Sequence, residues 1–194
     1  QLFQRVGARK VPQVVQELQS VVSRPNATAD MLVAVIEKDP VVALRLISIS
    51  TSPVYRGAKE IRTIRESIPR LGLKETMNVV MAIANKSLYE TKNPHYRLLM
   101  DKLWGHSIAT AFGARLIAQH LKLRDVDSLF LMGLTHDIGK TFLLKAFSEE
   151  PALKGMDMKL VVANIQEAHL GISNIMLKRW GFDDGFIRAV SLHE

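Results

Sequence analysis

A histidine followed directly by an aspartate, His136-Asp137, stands in the stretch Leu134-Thr-His-Asp-Ile-Gly-Lys140 at the end of an apolar run. An imidazole and a carboxylate are both good donors to a divalent metal ion. Neighbouring side chains on a regular helix diverge by about 100°, so the two can face one point only where the helix ends. Gly139 is expected to supply that ending. A carboxylate carried into a partly buried helix exit costs several kcal/mol unless a cation, metallic or basic, offsets it. The plainer alternative is a hydrogen-bonded core histidine, with Asp137 or Thr135 capping the helix that opens at Ile138.

The other histidines bear on that choice. Of the six in the chain, His106, His136, His169 and His193 fall on or at the ends of apolar helical stripes in the second half, whereas His95 and His120 lie near helix termini in polar surroundings. A lone inward histidine is usually a core residue, but four in one region beside Asp137 point to a metal site. The chain has no cysteine, so a disulfide framework and a thiolate site are excluded and only His, Asp and Glu remain as strong ligands. Neutral imidazoles with a carboxylate suit a divalent ion such as Fe, Mn, Zn, Ni or Mg.

Elements must exist to position these groups. With 47% hydrophobic and 23% charged residues over 194 positions, the chain has the composition of a soluble globular protein with a core of its own. No strand-like alternation occurs, so the expected fold class is all-α. Pro12 can open a first helix carrying Val14, Val15, Leu18, Val21 and Val22. Thr28 or Asp30 can cap a second with Leu32, Val35 and Ile36, and Asp39-Pro40 a third with Val42, Leu46 and Ile49. Ser50 to Lys59 reads as a loop, Thr63 as a cap, and Leu71-Gly72-Leu73 as a turn before a buried helix through Met77, Val80, Met81, Ala84 and Leu88.

Asn93-Pro94 is the expected division between an N-terminal helical lobe, 1–92, and a second lobe, 93–194. There a helix of about 27 residues should follow, from His95 to Leu121, running until a breaker. Along it His106 shares a stripe with Leu99, Leu103, Thr110, Gly113 and Ile117. A short helix ends at His136-Asp137, and another runs from Lys140 to Phe147 before the break at Ser148 to Pro151. Asp157 can cap a helix that Gly171 bends or ends. Trp180 and Gly181 close the next stripe, and Asp183 can cap a last helix with Phe186, Val190 and His193 on one face.

These motifs resemble a family. His106 and His136-Asp137 look like the HD phosphohydrolase superfamily, in which a histidine on one helix and a His-Asp doublet on another bind divalent metal. More of the chain resembles the HDOD domains, HD-related output domains of bacterial signalling proteins. Val11-Pro12, Ile36-Glu-Lys-Asp-Pro40, Ile68-Pro-Arg-Leu-Gly72, Leu103-Trp-Gly-His-Ser107, Met132 to Lys140, and Glu167-Ala-His169 with Trp180 carry that likeness over nearly the whole sequence. The resemblance implies an HD-like second lobe and adds His169 and His193 to the metal ligands His106, His136 and Asp137. The sequence departs from the superfamily in two places: its last metal-binding aspartate has no match up to Glu194, and the glycine-tyrosine-proline motif of the cyclic-dinucleotide phosphodiesterases is missing.

Two functions follow from the likeness. The first is a regulatory output module of a signalling pathway, such as a two-component system, that keeps metal ligands, performs no turnover and has signalling proteins as partners. Ser50 to Lys59 and its basic continuation, Arg62, Arg65, Arg70 and Lys74, would be the contact surface. The second is a metal-dependent phosphohydrolase acting on a nucleotide or cyclic dinucleotide. In that case Asp137 and Lys140 take catalytic roles, the ions activating water and Lys140 neutralising phosphate charge. The net charge of +7 favours an acidic or nucleotide ligand in either case. Nucleic-acid binding ranks last, since charge alone supports it. With no apolar run near 20 residues and no signal-peptide pattern, the expected location is the cytoplasm, away from membranes. Because the chain opens at Gln1 and not Met, it is read as a segment of something longer.

Overall fold

A computed structural model of the chain describes residues 13–22, 24–55, 57, 60–150 and 155–193. The helix start at Pro12, the break at Pro151 and the basic positions Arg56 and Lys59 lie outside them. Among the described residues there is no strand, and the fold is all-α. The helices fall into two compact units, one running to Asn85 and one from Lys86 onward.

The first unit holds α1 (Gln13–Val22), α2 (Ala29–Ile36), α3 (Pro40–Ser50), α4 (Ile64–Leu71) and α5, which begins at Leu73 and ends at Lys86. Its helices start where short polar side chains satisfy orphan amides. Thr28 accepts from the Met31 amide, Asp39 from those of Val41 and Val42, and Thr63 from that of Glu66. Gly72, with φ of 83°, takes the turn between α4 and α5, a backbone conformation closed to most side chains. Leu18, Leu32, Ile36, Leu46, Ile68 and Val80 fill the core.

The second unit is built on α6 (Pro94–His120), with α7 (Val126–Thr135), α8 (Ile138–Glu149), α9 (Met158–Arg179) and α10 (Asp184–Ser191). Asn93 caps α6 through the His95 amide and Pro94 occupies its first turn. α7 packs along α6, α8 along α9, and α10 against both α7 and α9.

Three expectations change here. The buried face of α6 is Tyr96, Met100, Ser107, Ala111 and Ala118, one step around from the stripe with His106; Ile117 is exposed. The cause is close packing: a Cβ on Gly133 of α7 would lie 2.8 Å from the Ala111 Cα, so α6 turns its small side chains toward α7 and leaves His106 at the edge. α9 continues unbroken through Gly171 to Arg179, one helix where a bend or an end was expected. α8 also runs beyond Phe147 to Glu149, because no breaker acts before Pro151. No helix among the described residues is long and apolar enough to cross a membrane.

Candidate metal centre

α7 stops at Thr135, and the two residues before α8 are the doublet. Gly139, expected to end the helix, instead lies inside α8. A Cβ there would sit 2.0 Å from the His169 carbonyl oxygen and 2.7 Å from Ser173 Oγ. Glycine is what lets the start of α8 lie directly on α9. Ser173 Oγ, fully buried, accepts from the Gly139 amide at 3.0 Å. This clamp fixes Asp137 of the inter-helix turn against His169 of α9.

The capping alternative fails for both residues. Asp137 makes no side-chain cap hydrogen bond at the opening of α8, and Thr135 Oγ donates backward to the Leu131 carbonyl. The Asp137 carboxylate, 4% exposed, is instead ringed by imidazoles. His136 Nε2 lies 3.3 Å and His106 Nε2 3.6 Å from Oδ2; His193 Nε2 lies 3.4 Å and His169 Nε2 3.8 Å from Oδ1. The structure thus brings together all five residues expected to bind metal. Lys140, the remaining candidate, holds its ammonium 3.0 Å from Oδ1.

Three of the rings are oriented by one device. His136 Nδ1 is 2.8 Å from the Gly133 carbonyl, His169 Nδ1 2.7 Å from that of Gln166, and His193 Nδ1 2.6 Å from that of Val190. Each pair is three residues apart, so a helix turn or helix end supplies the acceptor. A carbonyl can only accept, so each Nδ1 carries the proton and donates it. In the neutral ring, Nε2 is then a bare lone pair aimed at the cluster. His106 Nε2 lies 2.9 Å from His136 Nε2, so in the neutral rings His106 donates there and His136 accepts. The Lys140 ammonium offsets part of the carboxylate charge, and a divalent ion in place of the shared proton fits the donor set. Two overlapping groups have ligand atoms within 4.8 Å of one another: His106, His136 and Asp137, and Asp137, His169 and His193. Asp137 belongs to both.

Electrostatics agree with the geometry. Burial pushes the Asp137 carboxyl up, but His136, once its Nε2 carries a proton as well, and the Lys140 ammonium outweigh that and hold it well below the usual carboxylate range. The carboxylate is therefore a ready anionic ligand.

Other residues serve the site without having stood out in the sequence. Ser173 is one. Tyr89 is another: its hydroxyl, 3.0 Å from Ser107 Oγ, lies in a buried polar layer of α6 and the turn before it, and burial pushes that phenol up. Ser191 Oγ donates to Asn174 Oδ1 at 2.6 Å and so ties α10, with the adjoining His193, to α9. Serines on apolar helices give no sequence signal that separates such ties from ordinary packing. His95 and His120 take no part in either ligand group.

The HDOD domain sequence model matches residues 9–194. The chain belongs to the HDOD family. Among solved structures, that of a candidate metal-dependent phosphohydrolase from Shewanella amazonensis SB2B superposes with a TM-score of 0.77 at 23% identity, over 94% of this chain and 67% of that one. That of a candidate signal transduction protein from Marinobacter aquaeolei VT8 superposes with a TM-score of 0.66 at 19% identity, over 98% of this chain and 45% of the other. Such distant likenesses establish the HDOD fold. An uncharacterized protein of Treponema pallidum (strain Nichols) is 20% identical over 95% of this chain. The HDOD segment spans 37% of that relative's length.

Proposed function

We propose that this HDOD segment is a metal-binding regulatory module of a bacterial signalling protein, with a divalent ion held by His106, His136, Asp137, His169 and His193. One observation carries the reading: a buried carboxylate faced by four imidazole nitrogens, three of them fixed in the tautomer that ligates through Nε2. Family membership and the likeness to the Marinobacter candidate signal transduction protein support a signalling context. The partners would be other proteins of the pathway, and the site of action the cytoplasm. The test is the metal content of protein purified without chelator, by elemental mass spectrometry, beside His136→Ala. A stoichiometric ion lost in the mutant is expected; metal-free protein in both cases sinks the reading.

A second reading, a metal-dependent phosphohydrolase, is favoured by Lys140 and by the openness of one side of the cluster, where the His106 side chain is 56% exposed. A bound ion there would supply Lewis acidity toward a phosphoryl oxygen. His106 would leave room for the ester beside it, and the Lys140 ammonium would neutralise phosphate charge. The likeness to the Shewanella candidate metal-dependent phosphohydrolase supports this chemistry. Divalent-dependent cleavage of a phosphoester by the unmutated protein, abolished in Asp137→Ala, is its expected signature.

A further inference from the structure

Outside the ligand cluster, the second unit carries a groove of about 280 Å³ that begins at the cluster's open side. His106 and Lys140 stand at that end and both flank Asp137. Away from it the walls are aliphatic: Leu99 and Leu103 from α6, Leu144 from α8, and Val162 and Ile165 from α9. Val162 is 46% exposed, although apolar. Lys102 adds a second ammonium, and Gln166 contributes the one neutral polar side chain of the lining.

What the groove lacks is as informative as what it has. No Phe, Tyr or Trp lines it, and its one ring, the His106 imidazole, is turned to the Asp137 cluster, so a nucleobase would find no free ring along the groove to stack upon. One amide is too little to read a base edge, where bases are normally held by several hydrogen bonds as well as stacking. Five aliphatic side chains ask for a flexible hydrocarbon. The Lys140 ammonium and a divalent ion at one end, with Lys102 on the α6 wall, ask for a compact dianion.

We propose that this groove binds an aliphatic phosphomonoester, its phosphate at the His106–Lys140 end and its hydrocarbon along Leu99, Leu103, Leu144, Val162 and Ile165. The ligand would be the effector of the regulatory module or the substrate of the hydrolase. The proposal rests on the metal reading for its phosphate end alone; the hydrocarbon end stands on the groove itself. Binding of the ligand covers the exposed flank of Val162 and closes the open side of the cluster.

The test is a calorimetric binding series with butyl, hexyl and octyl phosphate, inorganic phosphate and adenosine monophosphate, on manganese-loaded and on metal-free protein, with metal content measured in each. Chain length reports the groove and the inorganic phosphate baseline reports the ion, so the two can fail separately. Full burial of a methylene would strengthen binding roughly fourfold, and a half-open groove should give about twofold or more for each one added. The rise with chain length should persist in metal-free protein at a lower baseline and vanish in Val162→Glu, which keeps its metal because residue 162 is no ligand. A flat series, tighter binding of adenosine monophosphate than of octyl phosphate, or an unchanged series in Val162→Glu overturns the proposal. A lost baseline difference between loaded and metal-free protein, with the rise intact, overturns the metal reading and leaves the groove standing.

Discussion

The two halves of the cluster share one carboxylate and differ in their exposure. By side chain, His106 is 56% and His136 10% exposed on one side, while on the other His169 is sealed and His193 21% exposed, so the second half is the more closed although His193 stands at the surface. The open half faces the groove. The closed half is held by the Gly139–Ser173 clamp and the Ser191–Asn174 tie. An ion in the closed half would be held by a rigid shell, whereas an ion in the open half would keep positions free for an outside ligand, the division that separates structural from reactive metal sites.

The harshest way to break this comparison is to remove what the halves share. Asp137→Asn keeps the shape and deletes the charge, and both halves should lose their ions together, with an affinity drop beyond about 100-fold, the upper range for an outer-shell change. Elemental analysis after dialysis checks it. An ion retained in the mutant would show that one half holds metal without the carboxylate. The halves should then separate under single-histidine changes. His169→Ala opens a hole in a sealed place and should cost about 1–3 kcal/mol of stability in urea unfolding. His106→Ala should leave stability within about 0.5 kcal/mol while stripping metal from the open half.

Gly139→Ala sharpens the comparison through packing alone. The added methyl meets the His169 carbonyl and Ser173 Oγ, so α8 must shift off α9 at a cost of about 1–3 kcal/mol. Metal loss should be greater in the closed half, where His169 and Asp137 are both displaced, than in the open half, where His106 and the His136 ring are oriented from α6 and α7 and only the shared Asp137 moves. Equal weakening of both halves, seen as one shared drop in a two-site titration, would mean that Asp137 moves as a whole and the halves form one site.

The fold and the gathering of four histidines around Asp137 were legible for the same reason, and the clamp was illegible for its converse. Helices with caps at Thr28, Asp39, Thr63, Asp157 and Asp183 show themselves through residue types with one strong local preference. Histidines are rare enough that four on apolar stripes stand out. The stripe on α6 misled, because Leu99, Leu103 and His106 share a helical period with a face that is only half covered, while the buried face uses the small or polar Ser107, Ala111 and Ala118. Gly139 misled in the same way. A glycine after a polar doublet signals a helix end by type, and only the neighbouring helix reveals that the missing side chain serves a close approach.

Acid should act on the cluster through the carboxylate and through the rings around it. Asp137 is held below its ordinary range by His136 and Lys140 against the upward push of burial. Its folded-state value being depressed, its ionisation stabilises the fold fully above the unfolded carboxyl pKa of about 3.9 and less as pH falls through the folded value. In metal-free protein, the part of the stability gap between the unmutated chain and Asp137→Asn that comes from the carboxylate charge should narrow as pH falls below about 4. His136 donates through Nδ1 to the Gly133 carbonyl, so a proton on Nε2 and a metal ion compete for one lone pair. Proton release on metal addition, read by calorimetry in buffers of different ionisation enthalpy, checks this.

The smallest effect is the one that tests whether clustering, and not histidine content, makes the site. His95 sits in the first turn of α6, and His120 in its last turn. Both are solvent-exposed and outside the two ligand groups. Neither ring has the constellation described above, in which a carbonyl fixes Nδ1 while Nε2 faces Asp137. His95→Ala and His120→Ala should therefore leave metal stoichiometry unchanged and move stability by no more than about 0.5 kcal/mol. If either substitution removed an ion, binding would follow from surface imidazoles in general, and the contrast between an open and a closed half would lose its footing. Unchanged stoichiometry in both, beside its loss in His136→Ala, would confine the metal to the four rings that converge on one buried carboxylate.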